Sequence, residues 1–596
     1  MIWTICFCLS AAVLILSLLF AVTSARAYRS GKLLTPFRTI FAGVFLAVLI
    51  GLFPVFEEML AGEPAHGLKL LLFSVLQTLQ VFTINVGGDF ILDNISASPT
   101  GISGAYSVYM SVLFFAAPLL TFGFLISLFR DFLTGLTYRL HRWGDVYVFS
   151  ALNEKSLMLA EDLRKNHSRA LLVFTDVDKE EGNVPDELVE AARELKALIF
   201  QKDILSVDFS RHSKQASLTF FAIGEKEGDN LVQGLKLLDR YHGREHTHLY
   251  VFSTGAEGEL LFSNAAKGNM KVRRINEVRS LVYRYLYTQG CELFSHASPS
   301  QGGEKKITAV VAGLGRLGTE LVKALAWFCQ MDGYVIEIHG FDRDPLAEDR
   351  FSASCPELMS DRYNGVVVPG ESRYTIRIHS GIDIGTKTFA DQILSLSDIT
   401  LAFVCLGDDE RNISCAADLR MLCERAGSKP VIRPVVYSAE EADALAGITN
   451  YRGQAYGIEA IGDLESIYSE EVLLGSELEQ LALQRHLKWG QEEEFWQYEY
   501  NYRSSMASAI HMKARQDLAV PGAEKREEDL SPEERDRIEQ LEHKRWNAYM
   551  RSEGYVYSGS PDKSSRNDLA KMHHDLVEFA ALSEEDKRKD SSVGSL

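Results

Sequence analysis

A glycine-rich turn near the middle of the chain has the spacing that binds phosphate groups. Gly313, Gly315 and Gly318 follow an apolar, β-branched run and precede a predicted helix. In such a turn the first glycine permits the tight bend, the second lets the backbone approach a ligand, and the third allows close helix–strand packing. The free N–H groups and the dipole of the helix favour an anion. The stretch therefore predicts a nucleotide site, and the alternative is a retained turn whose glycines serve packing only.

Polar residues near later strand ends extend this predicted site. Asp342 ends the run YVIEIHGFD, where a carboxylate can bind a ribose, and Arg343 beside it could meet a charged group instead. We expect the site to hold NAD(H) or another adenine nucleotide as a ligand that is not turned over, because no catalytic acid–base group stands out. The candidate binding residues are Gly313, Gly315, Arg316, Leu317, Gly318, Asp342, Arg343, Asp383, Gly407 and Asp408.

These residues need a parallel α/β scaffold, and the pattern for one occurs twice. Strand-like runs alternate with helical spacing over residues 142–294 and again over 307–450, which predicts two doubly wound sheets. The turn of the first region, SALNEK, contains no glycine, so its backbone cannot come close to a pyrophosphate. Asn153 and Asp176 could still bind a nucleotide there, but a structural copy is the favoured interpretation.

Residues 1–135 are dominated by apolar runs, and a bilayer-spanning helix needs about 20 such residues. The first run could be a signal peptide, but it lacks the basic start of one. Basic residues at 26–38 and at 130–142 favour the inner side of the membrane, whereas 57–67 is acidic. Both inward placements require three spans with 67–90 re-entering the membrane, and four spans are the alternative.

The run at 67–86 is the most polar of the apolar runs, which is tolerated at membrane depth beside a watery cavity. It leads into TINVGGDF, whose glycines stand where a re-entrant helix would turn back. The arrangement is similar to the pore loop of potassium channels, although the tyrosine of their filter signature is missing. The pore candidates are Gln77, Thr83, Asn85 and Asp89.

Net charge and cysteine spacing argue against a nucleic-acid site and against a metal site. A net charge of −19 and a pI near 5.4 argue against a nucleic-acid partner, which requires a basic face. The eight cysteines are scattered without CxxC spacing, so we expect reduced thiols and no metal in the soluble domains.

The motifs VVAGLGRLGTELVKAL, FDRD and AFVCLGDDERNISCA closely resemble the TrkA-N or RCK (regulator of potassium conductance) family. The resemblance covers roughly residues 142–450. It implies Rossmann domains that bind nucleotides or ions, assemble into dimers or rings, and convert ligand binding into force on a pore. It does not imply hydride transfer, and the altered turn of the first region leaves the ligand of that region open.

The C-terminal region, residues 495–590, follows a predicted helical connector at 451–494. Its motifs EHKRW, GYVY and KMHHDLV resemble the RyR domain, a mainly α-helical repeat first recognised in ryanodine receptors. An aromatic ring, an arginine and a histidine brought together suit a base and a phosphate. A structural role for Trp546 and for an Arg545–Glu542 pair is the alternative. The candidate ligand residues are Glu542, Arg545, Trp546, Tyr555 and His574.

The order of these regions predicts a nucleotide-sensing membrane channel or channel-like effector for monovalent cations such as potassium. We expect a homo-oligomer, dimer or tetramer, in the inner (cell) membrane with its soluble domains in the cytoplasm. The combination also suits a bacterial stress or antiviral effector that responds to a nucleotide signal. A membrane-anchored NAD(P)-dependent oxidoreductase and a non-conducting regulatory subunit of an ion transporter are the alternatives.

Overall fold

The computed structural model describes residues 2–27, 34–83, 101–177, 184–263, 265–299, 303–359, 362–363, 366–367, 373–396, 398–462, 467–475 and 477–594. The chain divides into two compact units. The first comprises Met1–Asn153 and Arg169–Leu218, and the second comprises Glu154–Ser168 and Thr219–Leu596.

The helices and strands fall into four groups along the chain. The N-terminal region contains α1 (Ile2–Ala27), α2 (Leu34–Met59), α3 (His66–Phe82) and α4 (Ser103–Leu140). Next come β1 (Val146–Phe149), α5 (Glu154–Asn166), β2 (Leu171–Phe174), α6 (Asp186–Glu194), β3 (Leu198–Ile199), β4 (Leu218–Ala222), α7 (Glu227–Tyr241), β5 (Thr247–Phe252), α8 (Ala256–Ser263), β6 (Lys271–Ile275), α9 (Glu277–Gln289) and α10 (Glu292–Ser295).

The third group of elements is β7 (Ser298–Pro299), β8 (Lys305–Ala312), α11 (Arg316–Phe328), β9 (Tyr334–Asp342), α12 (Ala347–Ser354), β10 (Arg362–Tyr363), β11 (Val366–Val367), β12 (Tyr374–Ser380), α13 (Lys387–Ser395), β13 (Leu401–Val404), α14 (Asp409–Arg425), β14 (Val431–Pro434) and α15 (Ala439–Ala446). The last group is β15 (Asn450–Tyr451), β16 (Gln454–Ala455), α16 (Glu470–Leu473), α17 (Glu477–His486), α18 (Glu492–Gln497), α19 (Glu499–Asp517), α20 (Pro532–Ser552), β17 (Val556–Tyr557), β18 (Met572–His573) and α21 (Glu584–Gly594).

Three helices among the described residues are long and apolar enough to cross a membrane. Their apolar windows are Ile2–Phe20, Thr39–Met59 and Ser103–Phe122. Helix α3 is shorter, with 17 residues. Close helix packing in this region uses a small residue, since a Cβ on Gly43 would lie 2.0 Å from the Ser17 hydroxyl.

Only part of the predicted pore segment is described. Gln77 is half-buried in α3, and Thr83 is exposed at the end of that helix, where its hydroxyl donates to the Leu79 carbonyl at 3.1 Å. Asn85 and Asp89 lie outside the described residues. The buried polar side chains of α3 are Ser74 and Thr78. The choice between a pore loop and a fourth span therefore stays open.

The first unit also carries three parallel strands. β1 pairs with β2, and β2 pairs with β3, each in parallel register. The glycine-free turn after β1 is largely filled by protein, because Ser150 and Leu152 are buried. At the end of β2, Asp176 adopts a left-handed backbone with a φ of 58°. Its N–H donates to the Lys202 carbonyl at 2.8 Å.

The second unit contains the parallel sheet that positions the glycine turn. Its strand order is β12-β9-β8-β13-β14, and all four pairings are parallel. The register aligns Ala312 with Phe341 and with Val404, so β8, β9 and β13 end at the same edge. In the same unit, β4, β5 and β6 lie side by side in that order.

The connector after this sheet differs from the helix that the sequence predicted for 451–494. β15 and β16 form a hairpin, and Ile458 and Ile461 then bridge to β14 and the residue after it. The apolar spacing of this stretch suits a helix as well as an edge strand. The open edge of β14 supplies main-chain partners, with Glu459 N–H donating to the Ile432 carbonyl at 2.9 Å. The helices α16 and α17 follow later in the connector.

The C-terminal part of the second unit is mainly helical. α19 is a central helix, because Ser504 to Arg515 are buried at nearly every position. α20 begins with the capping box that the sequence indicates: Glu534 N–H donates to the Ser531 hydroxyl at 3.3 Å, and Ser531 N–H donates to the Glu534 carboxylate at 3.0 Å. β17 and β18 form a short parallel pair.

Candidate functional site

Two of the three glycines in the turn after β8 are required by the fold itself. Gly313 has a φ of +89°, and a Cβ there would lie 2.5 Å from the Cys405 carbonyl oxygen. A Cβ on Gly318 would lie 1.8 Å from the Gly313 carbonyl oxygen. Both contacts are too short for any side chain, so these two glycines allow helix α11 to pack against the turn.

Gly315 is different, because none of the described residues requires a glycine there. Its backbone is extended and caps the N-terminus of α11. No atom of the described residues outside its own chain neighbours lies within 4 Å of the position that a Cβ would take. Gly315 therefore leaves space open above the first N–H groups of the helix, which have no acceptor within the helix.

A cavity of about 660 Å³ occupies this space. We call it the glycine-turn cavity; it lies between the carboxyl ends of β8, β9 and β13 and those of β4, β5 and β6. Its volume is in the range of small-molecule sites. The predicted residues that line it are Gly313, Gly315, Arg316, Leu317, Asp342, Arg343, Asp383 and Gly407.

The structure does not place two of the predicted residues on the wall of this cavity. Gly318 packs against the turn instead. Asp408 caps helix α14, where its carboxylate accepts the Arg411 N–H at 2.9 Å. The asparagine of the same motif, Asn412, does line the cavity.

Asp342 is held in one orientation at the edge of the sheet. One carboxylate oxygen accepts the Leu314 N–H at 2.7 Å, and the other accepts the Asp344 N–H at 2.8 Å. Each oxygen keeps a second lone pair for a hydroxyl donor. Arg343 and Arg411 are exposed on the same cavity, and neither guanidinium has an ion partner among the described residues. The wall thus offers both a hydroxyl acceptor and free positive charge.

The opposite wall contains charged residues that sequence reasoning missed. Arg316 donates to Glu227 at 2.8 Å and to the Thr254 hydroxyl at 2.7 Å. Burial alone would raise the pKa of Glu227, but hydrogen bonds from Thr254 and Arg316 lower that pKa to about 2. Lys155 donates to Glu277 at 2.8 Å. These ion pairs lie where a charged ligand could compete for them.

A repeated asparagine was the sequence signal that could have revealed this wall. Asn412 accepts the Leu406 N–H at 2.7 Å and donates to the Val435 carbonyl at 2.7 Å. Asn230 accepts the Gly224 N–H at 2.7 Å and donates to the Phe252 carbonyl at 3.0 Å. Each asparagine links the end of one strand to the end of the next by hydrogen bonds. The same arrangement therefore occurs at the strand ends of both α/β regions.

A second space of about 590 Å³ lies on the other side of the turn. Gly315, Arg316 and Asp342 line both spaces, and Lys323 and Arg350 line only the second. Space on both sides of Gly315 suits an elongated ligand that crosses the helix N-terminus.

The C-terminal module contains another cavity, of about 630 Å³, which we call the arginine cavity. Four of the five predicted residues line it: Glu542, Arg545, Trp546 and His574. Tyr555 is not among the lining residues and instead packs its ring against Tyr500, with the centroids 5.9 Å apart.

The arginine cavity contains a buried carboxylate that arginines surround. Glu542 accepts from Arg545 at 2.8 Å, from the Ser508 hydroxyl at 3.0 Å and from Arg515 at 3.4 Å. Desolvation alone would raise the pKa of Glu542, but the two guanidiniums lower it to about 2. Arg485 also lines the cavity, and desolvation together with the neighbouring arginines lowers the pKa of Arg485 to about 9.

His573, His574 and Asp575 form the group of described residues with metal-ligand spacing, with ligand atoms within 4.8 Å of one another. The Asp575 N–H donates to His573 Nδ1 at 3.1 Å, and burial lowers the pKa of His573 to about 3. A neutral ring that accepts at Nδ1 carries its proton on Nε2, so His573 has no free nitrogen for a metal. The expectation of no metal stays a prediction.

No protein-family model and no curated protein matches the chain. The candidate sites therefore rest on their own geometry: a phosphate-sized opening at a helix N-terminus, and a cavity with buried positive charge.

Proposed function

We propose that this protein is a nucleotide-sensing membrane channel, or a channel-like effector, that conducts monovalent cations such as potassium. In this proposal the two α/β regions are Rossmann domains of the TrkA-N/RCK type, and the C-terminal module is an RyR domain. NAD(H) or another adenine nucleotide binds in the glycine-turn cavity and is not consumed. The strand order β12-β9-β8-β13-β14 supports a dinucleotide-binding fold.

The observation that carries the proposal is the open position at Gly315. A glycine kept only for packing would meet other atoms if it had a side chain, as Gly313 and Gly318 do. Gly315 meets none among the described residues, yet a side chain there would occupy the entrance to the helix N-terminus. A ligand phosphate is the group that this arrangement accommodates best.

The remaining cavity wall supports a nucleotide over a bare phosphate. Asp342 stands at the end of β9, at the position where a carboxylate binds ribose hydroxyls. Arg343 and Arg411 supply positive charge for the phosphates or for a charged substituent. The space on both sides of Gly315 is large enough in volume for a dinucleotide.

The three apolar helices support the membrane part of the proposal. In a homo-oligomer in the cell membrane, these helices would surround a pore while the α/β regions face the cytoplasm. A ligand changes such an equilibrium only if it binds one conformation more tightly than the other. The exchangeable ion pair between Arg316 and Glu227 is one contact that a bound phosphate would change.

The test is potassium flux from liposomes that contain the full chain, with NAD⁺, NADH, ATP and AMP added singly. The variants are Gly315→Glu, which places a carboxylate at the phosphate position, and Gly243→Ala as a matched control. Gly243 also has open space around it but does not line the glycine-turn cavity. We expect nucleotide-dependent flux in the wild type and in Gly243→Ala, and none in Gly315→Glu.

Three results would contradict the proposal. Unchanged flux in Gly315→Glu would remove the glycine-turn cavity as the sensor. Nucleotide binding without flux would favour a non-conducting regulatory subunit. A substrate-dependent change in NADH absorbance would favour a membrane-anchored oxidoreductase.

A further inference from the structure

The C-terminal module buries more positive than negative charge around one carboxylate. Arg485, Arg515 and Arg545 are 2%, 0% and 1% exposed. All three guanidiniums interact electrostatically with Glu542, which is 1% exposed. A buried ion pair repays its desolvation only when the charges are matched and hydrogen-bonded. Six basic and four acidic side chains line the cavity, with Asp586 and Asp590 among the acidic ones, so its wall carries an excess of positive charge.

Hydrogen-bond donors of these arginines are also left without acceptors. Nη1 of Arg545, and Nε and Nη1 of Arg515, have no hydrogen-bond partner in the part of the chain that the structure describes. Buried guanidinium donors without acceptors are rare in folded proteins because each costs free energy. Arg545 is the residue of this pair that lines the arginine cavity, and its Nη1 is shielded from solvent, so an anion in the cavity would reach that donor with a small movement of the side chain.

Aromatic rings stand on the same wall as the unmatched charge. Trp546 is half-buried and lies against the His543 ring at 5.9 Å and the His573 ring at 5.0 Å. Trp489 and Tyr500 also line the cavity. A flat ring in the ligand can stack on such side chains while an attached anion faces the arginines.

We infer that the arginine cavity binds a phosphate-bearing molecule with a flat ring, the chemical class that includes the nucleoside monophosphates. The phosphate accepts the open donor of Arg545 and offsets the excess charge, because guanidinium groups match phosphate oxygens in a two-pronged geometry. The ring lies against Trp546. This site shares no residue with the glycine-turn cavity, so the protein has two separate ligand sites.

The electrostatics at the mouth of the cavity agree with this assignment. Lys488 is exposed there, and desolvation and Arg485 lower the pKa of Lys488 to about 8. Lys563 and Lys589 also line the cavity, and both contact Asp586, at 3.6 and 2.7 Å. Positive charge therefore extends from the mouth to the buried arginines.

The test measures binding of AMP and of inorganic phosphate to the full chain in detergent, by calorimetry and by the thermal midpoint. All measurements use the Gly315→Glu background, which removes the contribution of the glycine-turn cavity. The variants are Arg545→Met, Arg545→Lys and Trp546→Leu. Arg526→Met is the matched control, since Arg526 belongs to the same module but is exposed and pairs with Glu528 at 3.3 Å.

We expect phosphate and AMP to raise the thermal midpoint, whereas chloride at the same ionic strength does not. Arg545→Met should weaken both ligands at least tenfold. It also removes the nearest partner of Glu542, so we expect the midpoint of the unliganded variant to fall as well. A purely structural arginine would lower that midpoint without changing the affinity of the folded protein for phosphate or AMP. Arg545→Lys should weaken binding less than Arg545→Met, and Trp546→Leu should weaken AMP but not phosphate.

The inference is overturned if neither phosphate nor AMP stabilises the Gly315→Glu protein, or if both Arg545 variants bind AMP as tightly as Arg526→Met. If Arg545→Met does not fold, the binding of phosphate and AMP to Arg545→Lys and Trp546→Leu tests the inference instead. A failure here is distinguishable from a failure of the proposed channel function, because none of these measurements depends on flux or on the glycine-turn cavity.

Discussion

The glycine-turn cavity and the arginine cavity have nearly the same volume, about 660 and 630 Å³, but they present positive charge by opposite means. The first offers main-chain N–H groups at the start of α11 and exposed guanidiniums. The second offers buried guanidiniums around Glu542. Both arrangements suit an anion, and the difference lies in whether the unpaired positive groups are exposed to water or buried in the protein.

In the glycine-turn cavity the two guanidiniums without an ion partner among the described residues, those of Arg343 and Arg411, are exposed to water. The Asp342 carboxylate caps the loop, and Arg316 pairs with Glu227 across the opening. In the C-terminal module, by contrast, the buried guanidiniums of Arg515 and Arg545 have donors without a hydrogen-bond partner among the described residues, and Arg545 lines the arginine cavity. We therefore expect a ligand to stabilise the C-terminal module strongly and to change the conformation of the α/β regions with a smaller effect on stability.

The largest expected effect comes from removing the Glu542 carboxylate, which Arg515 and Arg545 contact. Glu542→Gln leaves buried arginines without their counter-charge, and breaking a buried pair in this way costs about 3–5 kcal/mol. Two measurements follow this loss: the thermal midpoint of the protein and the hydrogen exchange of α19 and α20. Millimolar phosphate should restore part of it. A loss below about 1 kcal/mol would mean that the arginines are already compensated.

The lowered pKa of Glu542 predicts how the stability of the C-terminal module changes at low pH. The folded-state pKa of Glu542 is lowered to about 2, below its value in the unfolded chain. Its stabilising contribution is therefore present above about pH 4.3 and is lost as the pH falls towards 2. The expected loss is about 3 kcal/mol over that window. Thermal midpoints between about pH 5 and 2.5 should fall less steeply in Glu542→Gln than in the wild type, and parallel curves would contradict the prediction.

The glycine turn gives a contrast between two nearby residues. Gly318→Ala places a Cβ 1.8 Å from the Gly313 carbonyl oxygen and should cost about 2–3 kcal/mol through backbone displacement. Gly315→Ala meets nothing among the described residues and should change stability by less than about 1 kcal/mol, in the stabilising direction. Nucleotide binding should nevertheless weaken in Gly315→Ala, as calorimetry can measure.

An equal loss of stability in both alanine variants would contradict this contrast. It would mean that Gly315 is also a packing glycine, and the case for a ligand in that cavity would lose its main support.

The sequence could predict the glycine turn because its geometry is set within a few consecutive residues. The parallel strands and the position of Asp342 follow from the alternation of strands and helices around that turn. The opposite wall could not be predicted in the same way, because Glu227 and Thr254 reach the cavity only through tertiary packing. The repeated asparagines, Asn230 and Asn412, were the feature of the sequence that could have indicated this packing.

The arginine cavity was harder to predict from the sequence, although Arg545 and Trp546 were identified from their motif. Arg485 and Arg515 lie in charged stretches that resemble ordinary solvated helix faces. Only the packing of α17 against α19, and of α19 against α20, buries them. Tyr555 belongs to the same motif, but the structure packs its ring against Tyr500. The motif therefore predicted four residues that line the cavity, and the packing of Tyr555 against Tyr500 excludes the fifth from the wall.

The smallest expected effect on stability is that of Arg316→Ala. Its side chain is 73% exposed, and an exposed pair such as Arg316–Glu227 contributes less than about 1 kcal/mol. Lys387→Ala is the control, because Lys387 pairs with Asp391 on an exposed helix face. We expect both variants to keep the wild-type thermal midpoint, while Arg316→Ala alone weakens nucleotide binding by roughly tenfold, the loss of one charge-assisted contact of about 1.4 kcal/mol.

The size of that loss decides how far the two cavities differ. If main-chain N–H groups provide most of the phosphate binding, removing Arg316 leaves most of the affinity, and the remaining binding depends only weakly on salt. If affinity instead falls by more than roughly a hundredfold, side-chain charge dominates in the glycine-turn cavity as well. The two cavities would then bind anions by the same means, and they would differ only in how deeply the arginines are buried.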